Sequence, residues 1–188
     1  MYLQRKFNIH RNFFGLAYSS GRDRLKAIFL DFYGTVVHED DDILPVAESL
    51  NQEQLAHWRK PGIFADSIPF LHSLEIPIYL LSNIDTDDVK AAMKAHNIEV
   101  DGVITSEDVR SYKPRSEMFD EAINRYGLQR DKVIHIGDSL VSDVQGAQNA
   151  GIKAVWLNRK SKSKWKQIIP DYECKDLGEV VHMLEGWA

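Results

Sequence analysis

The 188-residue chain has one cysteine, Cys174. No intrachain disulfide can form, so a reducing compartment such as the cytoplasm is the expected setting, and Cys174 should pack as a small apolar group. Uninterrupted apolar stretches fall well short of the ~20 residues that a membrane helix needs, which argues against an integral membrane protein. An excess of positive charge is absent as well: 28 acidic residues against 23 Lys and Arg, a net charge of −5 and a pI near 5.8 give no reason to expect a nucleic-acid partner. No glycine-rich Walker loop or dinucleotide fingerprint follows an apolar run. The 7 histidines show no zinc-type spacing, and His135, inside an apolar segment, reads as a core residue.

What remains is a chain with 44% hydrophobic residues, enough for one domain with a sizeable core over residues 26–188. Residues 1–25 form a basic extension. Arg5, Lys6, Arg11, Arg22 and Arg24, followed by Lys26, stand against the single acid Asp23, with Phe7, Phe13, Phe14 and Tyr18 interleaved. This composition resembles an organellar transit peptide; the plainer reading is an irregular segment leaning on an acidic body.

From Lys26 onward, strand-like and helix-like patterns alternate. Ala27 to Leu30 and Ile78 to Leu81 are apolar runs that end at Asp31 and Ser82, as strands buried on both faces do. Val103-Ile104, Val133 to Ile136 and Ala154 to Leu157 supply three more. Helical sequence lies between them. Residues 114–126 place Pro114 at a first helical position and gather Met118, Phe119, Ala122, Ile123 and Tyr126 on one face before Gly127. A second helix is expected after Asp85 or Thr86, burying Val89, Ala92 and Met93, and a third from near Ser142 to Gly151. Strands joined by helical crossovers imply an α/β fold, a doubly wound, Rossmann-like parallel sheet.

Four short segments sit where apolar runs give way to polar chain: Asp31-Phe32-Tyr33-Gly34-Thr35-Val36, Leu81-Ser82-Asn83, Tyr112-Lys113-Pro114, and Gly137-Asp138-Ser139 followed by Asp143. A parallel sheet gathers such segments at the carboxyl ends of its strands. A carboxylate at a strand tip can act as a nucleophile, and clustered carboxylates suit a hard divalent cation. Taken singly, the first three segments read more readily as a turn or cap, a polar strand end and a solvated loop, and the fourth is the strongest local signal, its plainer reading being a pair of helix caps. In this order they resemble the haloacid dehalogenase-like hydrolase superfamily. That resemblance implies Asp31 as nucleophile, the Ser82 hydroxyl as a hydrogen-bond partner of a phosphoryl oxygen, Asn83 as a neighbour whose backbone and side chain help position the substrate, and Lys113 as the cation that neutralises phosphate and holds the nucleophile. Thr35 would cap the turn and serve the substrate side. A Mg2+ ion would be held by Asp31, the Tyr33 carbonyl and Asp138, with Asp143 as a ligand or a support.

Two departures from the pattern matter. Tyr33 occupies the place where the family's phosphatases carry a second aspartate as general acid and base, and a phenol of pKa ~10 is a poor base at neutral pH. Tyrosine there is reminiscent of the family's metal-independent 2-haloacid dehalogenases, which typically lack the paired acids of the fourth segment. The insertion between the first two segments is also short. Residues 37–60 read as a vestigial cap with the acidic run Glu39 to Asp42 and one short helix carrying Leu50, Leu55 and Trp58. A short cap implies a bulky phosphorylated partner such as a phosphoprotein, a cap borrowed from another subunit of a homo-oligomer, or a weakened enzyme acting on small phosphate esters. A non-enzymatic binding protein on the same fold is the third reading. Trp165, Trp187 and the basic run Lys160 to Lys166 read as surface loop and terminal packing rather than docking elements.

Overall fold

Ala27–Leu30 forms the first strand, β1, with all four residues buried. It belongs to a computed structural model that describes residues 24–39, 52–163 and 167–186. Most of the basic extension, Asp40 to Asp42, Leu50, Trp165 and Trp187 lie outside the described residues. In chain order follow α1 (Gln52–Arg59), α2 (Ser67–Ser73), β2 (Ile78–Ser82), α3 (Thr86–Ala95), β3 (Gly102–Thr105), α4 (Ser106–Val109) and α5 (Glu117–Arg125). Then come β4 (Val133–Gly137), a π-helical segment Leu140–Gln145, α6 (Gly146–Asn149), β5 (Lys153–Leu157), β6 (Tyr172–Cys174) and α7 (Leu177–Glu185). Among the described residues no helix is long and apolar enough to cross a membrane.

The strands form one sheet in the order β3-β2-β1-β4-β5-β6, with parallel pairing throughout. The chain winds outward from β1 through β2 to β3, then returns to lay β4 on the other side of β1. The order therefore reverses between β1 and β4, and the crevice beyond their carboxyl ends is where such folds bind ligands. Asp31 follows β1 and Asp138 follows β4, so both acids stand at that crevice.

Side chains alternate across the sheet and fill two layers. Ile28, Leu30, Ile78, Leu80, Ile134 and Ile136 pack on one face with Phe70, Val89, Leu177 and Val180. Ala27, Phe29, Leu81 and Ile104 pack on the other with Met118, Phe119, Ala122 and Val144.

Several local expectations are revised. A sixth strand, Tyr172–Cys174, joins the sheet edge and buries Cys174. The helix expected from Pro114 begins at Glu117; Pro114 lies in a turn after a cis Lys113–Pro114 bond and is not its first residue. The helix expected from Ser142 opens two residues earlier, as the π-helical segment, and continues as α6. The ends of the 37–60 insertion come together, because the His38 N–H donates to the Gly62 carbonyl at 2.8 Å and Val37 bridges Ile63. Within it α1 buries Trp58 against the main core.

Candidate active site

Each acidic residue of the crevice is placed by backbone geometry before any charge interaction is counted. The Asp31 N–H donates to the Ile136 carbonyl at 2.9 Å, which continues the β1–β4 ladder to the strand tip. Gly34 then turns the chain at φ +83°, and a Cβ there would stand 2.7 Å from the Asp138 carboxyl carbon. Only a residue without a side chain lets the first segment approach the fourth this closely. Gly137 is equally constrained, since its Cβ would lie 2.2 Å from the Asp143 carboxyl carbon.

Lys113 joins three elements. Its ammonium group donates to Asp31 Oδ1 at 2.7 Å, to the Leu81 carbonyl at 2.8 Å and to Asp143 Oδ1 at 2.6 Å, with its side chain 1% exposed. All three ammonium protons are therefore used. Its loop is fixed by Asn83, whose Oδ1 accepts from the Lys113 N–H at 2.8 Å while its Nδ2 donates to the Lys113 carbonyl at 3.1 Å. Its amide thus holds the lysine loop, and Asn83 also forms part of the cavity wall.

Asp143 is the best-satisfied acid of the group. Its Oδ1 also meets His135 Nε2 at 3.0 Å, and its Oδ2 accepts from the Ser139 N–H at 3.0 Å. Burial would raise its pKa, but Lys113 and His135 overcome this and hold the carboxyl well below its usual range. Burial and Asp143 push Asp31 up to about 7 despite Lys113. Asp138 is likewise pushed up to about 7, by burial, Asp143 and Glu39, against the opposing Lys162 and Lys113. Among the described residues one buried ammonium group, that of Lys113, is bonded to two of these three crowded acids. Ligand oxygens of Asp31, Asp138 and Asp143 all lie within 4.8 Å of one another. Such a group lacks positive charge, and a divalent cation would supply it.

All four sequence segments contribute to the cavity here, of ≈ 170 Å³, whose walls include Asp31, Ser82, Asn83, Lys113 and Asp138. Ser82 is 1% exposed, and its Oγ accepts from the Ile84 N–H at 3.3 Å. Thr35 is fully buried and is not part of the cavity wall; its carbonyl accepts from Arg159 at 2.9 Å.

The Tyr33 phenol is engaged elsewhere. It donates to the Trp58 carbonyl at 2.5 Å, and its ring packs edge-on against Trp58 with centroids 4.7 Å apart. Burial, with Asp88 adding to it, raises its pKa further above the ordinary phenol value. The side chain therefore ties the insertion to the core, and an acid-base role for the phenol, already weak on sequence grounds, is weaker still.

Sequence reasoning assigned no active-site part to His135, Ser139 or the Leu81 carbonyl. Only His135 left a trace, as a lone polar side chain in an apolar strand; it is fully buried and stands edge-on to Phe119.

Comparison with known proteins adds family context. Residues 59–151 match the model of the haloacid dehalogenase-like hydrolases. YfnB, a HAD-hydrolase of Bacillus subtilis, is 36% identical over 83 residues, covering 44% of this chain and 35% of that protein. Human N-acylneuraminate-9-phosphatase is 30% identical over 116 residues, 60% of this chain and 47% of that protein. In these alignments the chain spans less than half the length of the relatives. The magnesium-bound YfnB structure superposes with a TM-score of 0.74 at 17% identity, covering 86% of this chain and 99% of that one. L-2-haloacid dehalogenase from Xanthobacter autotrophicus superposes with a TM-score of 0.76 at 16% identity, covering 87% and 100%. At such identities these superpositions speak for the fold.

Proposed function

The chain belongs to the haloacid dehalogenase-like hydrolase superfamily, and on that premise we propose that it is a magnesium-dependent phosphatase working through an aspartyl-phosphate on Asp31. The observation that carries this reading is the excess of acid: Asp31, Asp138 and Asp143 converge within 4.8 Å, and among the described residues the Lys113 ammonium group is the buried one there, paired with Asp31 and Asp143. A metal-independent dehalogenase has no use for that excess, since extra carboxylates beside the nucleophile disfavour its ionised form. The phosphatase named among the sequence relatives supports the same choice.

The residues divide the work by position. Asp31 attacks phosphorus, forming a P–O bond as the bond to the leaving alcohol oxygen breaks. Lys113 fixes Asp31 and lends positive charge to the phosphoryl oxygens. Ser82 lies at the cavity wall to meet those oxygens, and Asn83 keeps the Lys113 loop in register. Asp31 and Asp138, with the Tyr33 carbonyl, would hold magnesium, which when bound screens the charge of the phosphoryl group. Asp143 supports Lys113. Water then attacks phosphorus, the bond to Asp31 breaks, and phosphate leaves.

No carboxylic acid stands at position 33 to protonate the leaving oxygen, and the phenol there is bonded to Trp58. Such assistance is typically worth ~10²–10⁴-fold, so leaving groups that depart as stable anions are favoured. The test is turnover of p-nitrophenyl phosphate, an alkyl phosphate and a 2-haloacid, each with magnesium and with chelator, beside Asp31→Asn. Magnesium-dependent aryl phosphate turnover that Asp31→Asn abolishes is the expected result. Metal-independent halide release would overturn the reading.

A further inference from the structure

His135 occupies the middle of β4, in register with Phe29 on β1 and Ala154 on β5. Both neighbours are fully buried, and so is the imidazole, which stands edge-on to Phe119 with ring centroids 5.0 Å apart. An apolar side chain would fill such a place without loss. The histidine instead leaves its Nδ1 buried with no hydrogen-bond partner among the described residues, and an orphaned polar atom in the interior lowers stability. Packing therefore does not explain the residue; its other nitrogen does.

Nε2 lies 3.0 Å from Asp143 Oδ1, the same oxygen that accepts from the Lys113 ammonium at 2.6 Å. An ionised Asp143 can only accept, so Nε2 carries the ring proton and donates. The other oxygen of Asp143 accepts from the Ser139 N–H at 3.0 Å. The carboxylate is thereby held from three sides: by the strand before it, by the turn that follows the strand, and by the lysine. Lys113 is in turn divided between Asp143 Oδ1 at 2.6 Å and Asp31 Oδ1 at 2.7 Å. The imidazole N–H offsets part of the negative charge at Asp143 Oδ1, so Asp143 pulls less on the ammonium, and the ammonium stays shared with Asp31.

We propose that His135 is a positioning residue for the attack by Asp31: its Nε2–H bond to Asp143 sets how the Lys113 ammonium is shared and so keeps that cation on the attacking carboxylate. The proposal rests on the phosphatase reading for the role of Asp31. His135 is not part of the cavity wall, and it acts through Asp143 and Lys113.

The experiment compares His135→Gln, whose side-chain amide can bring an N–H to the place of Nε2, with His135→Leu, which fills the core without a donor. In the Leu variant kcat for p-nitrophenyl phosphate with magnesium should fall roughly 10- to 100-fold, the worth of a hydrogen bond to a charged group, with KM within about twofold. The Gln variant should return kcat to within about threefold of wild type, because the donor is restored. Crystal structures of the two variants read the cause: the Lys113–Asp31 contact should open beyond ~3.5 Å with Leu and close again with Gln. Should His135→Leu fail to fold, His135→Asn takes its place, since its shorter amide is polar but does not reach Asp143. Equal losses with Gln and Leu would mean a packing role alone, and an unchanged kcat or an unmoved lysine with Leu would mean no role; each overturns the proposal. A wild type that turns over no phosphate ester removes the phosphatase reading instead, and the Lys113–Asp31 distance in the variants then decides whether His135 governs the lysine.

Discussion

Lys113 Nζ stands 2.6 Å from Asp143 Oδ1, with 1% and 2% of the two side chains exposed. The same nitrogen lies 2.7 Å from Asp31 Oδ1, so one ammonium group is divided between two acids with opposite fates. Asp143 also receives His135 and the Ser139 N–H and stays firmly ionised. Asp31 has fewer donors and keeps a raised affinity for protons, which makes it the member of the pair open to a cation or to phosphorus.

Replacing Lys113 by Met strands both carboxylates without a counter-charge. A loss of about 3–5 kcal/mol in urea-unfolding free energy at neutral pH is expected, together with loss of turnover. Protonation of the stranded acids relieves the repulsion, so the deficit should shrink as pH falls toward 5. A deficit that grows on acidification would contradict this account.

Magnesium should raise the melting temperature. At about 100 times its dissociation constant a ligand adds ~2.7 kcal/mol, or roughly 5–10 °C for a domain of this size. Asp138→Asn, which removes one of the three acids and keeps the volume, should abolish most of the shift in differential scanning calorimetry. An undiminished shift in that variant would place the cation elsewhere.

Tyr33→Phe keeps the ring against Trp58 and removes the hydroxyl that reaches its carbonyl. About 1 kcal/mol of stability should go, with aryl phosphate turnover within about twofold of wild type. A tenfold fall in kcat, with the bell of its pH profile altered, would restore the phenol to the proton transfers.

Asp66 sets an acid limit on the link between Arg159 and the core. Burial would raise its pKa, but the Arg159 hydrogen bonds and the Leu177 N–H at 2.8 Å outweigh it and leave the carboxyl below its ordinary 3.8. A lowered folded-state pKa gives stability that is present above the unfolded value and lost as pH falls through the folded one. Asp66→Ala should therefore cost about 1–2 kcal/mol at neutral pH, and the difference from wild type should shrink as pH falls below the ordinary carboxylate value and through the lowered folded-state one. Equal acid unfolding curves down from neutral pH would refute it.

Much of this architecture was legible in the chain because its signals are local. Apolar runs ending at Asp31, Ser82 and Asp138 announce buried parallel strands and their tips, and Met118, Phe119, Ala122 and Ile123 repeat at helical spacing. Features resting on distant partners were not legible. β6 is three residues long and exists because β5 offers an edge; its sequence carries no periodicity to read. Pro114 suits a helix start by local rules, yet the chain must first carry Lys113 under the Leu81 carbonyl, and α5 begins only afterwards. The Asn83–Lys113 clasp spans 30 positions and the Arg159–Asp66 pair spans 93, distances across which no pattern within one segment can reach.

Gly34 and Gly137 border the acids as bare backbone. An alanine at either place would drive a methyl into Asp138 or Asp143 and prise the carboxylates apart, so a saturation mutagenesis library should find two of its least forgiving codons at positions with no functional group to lose.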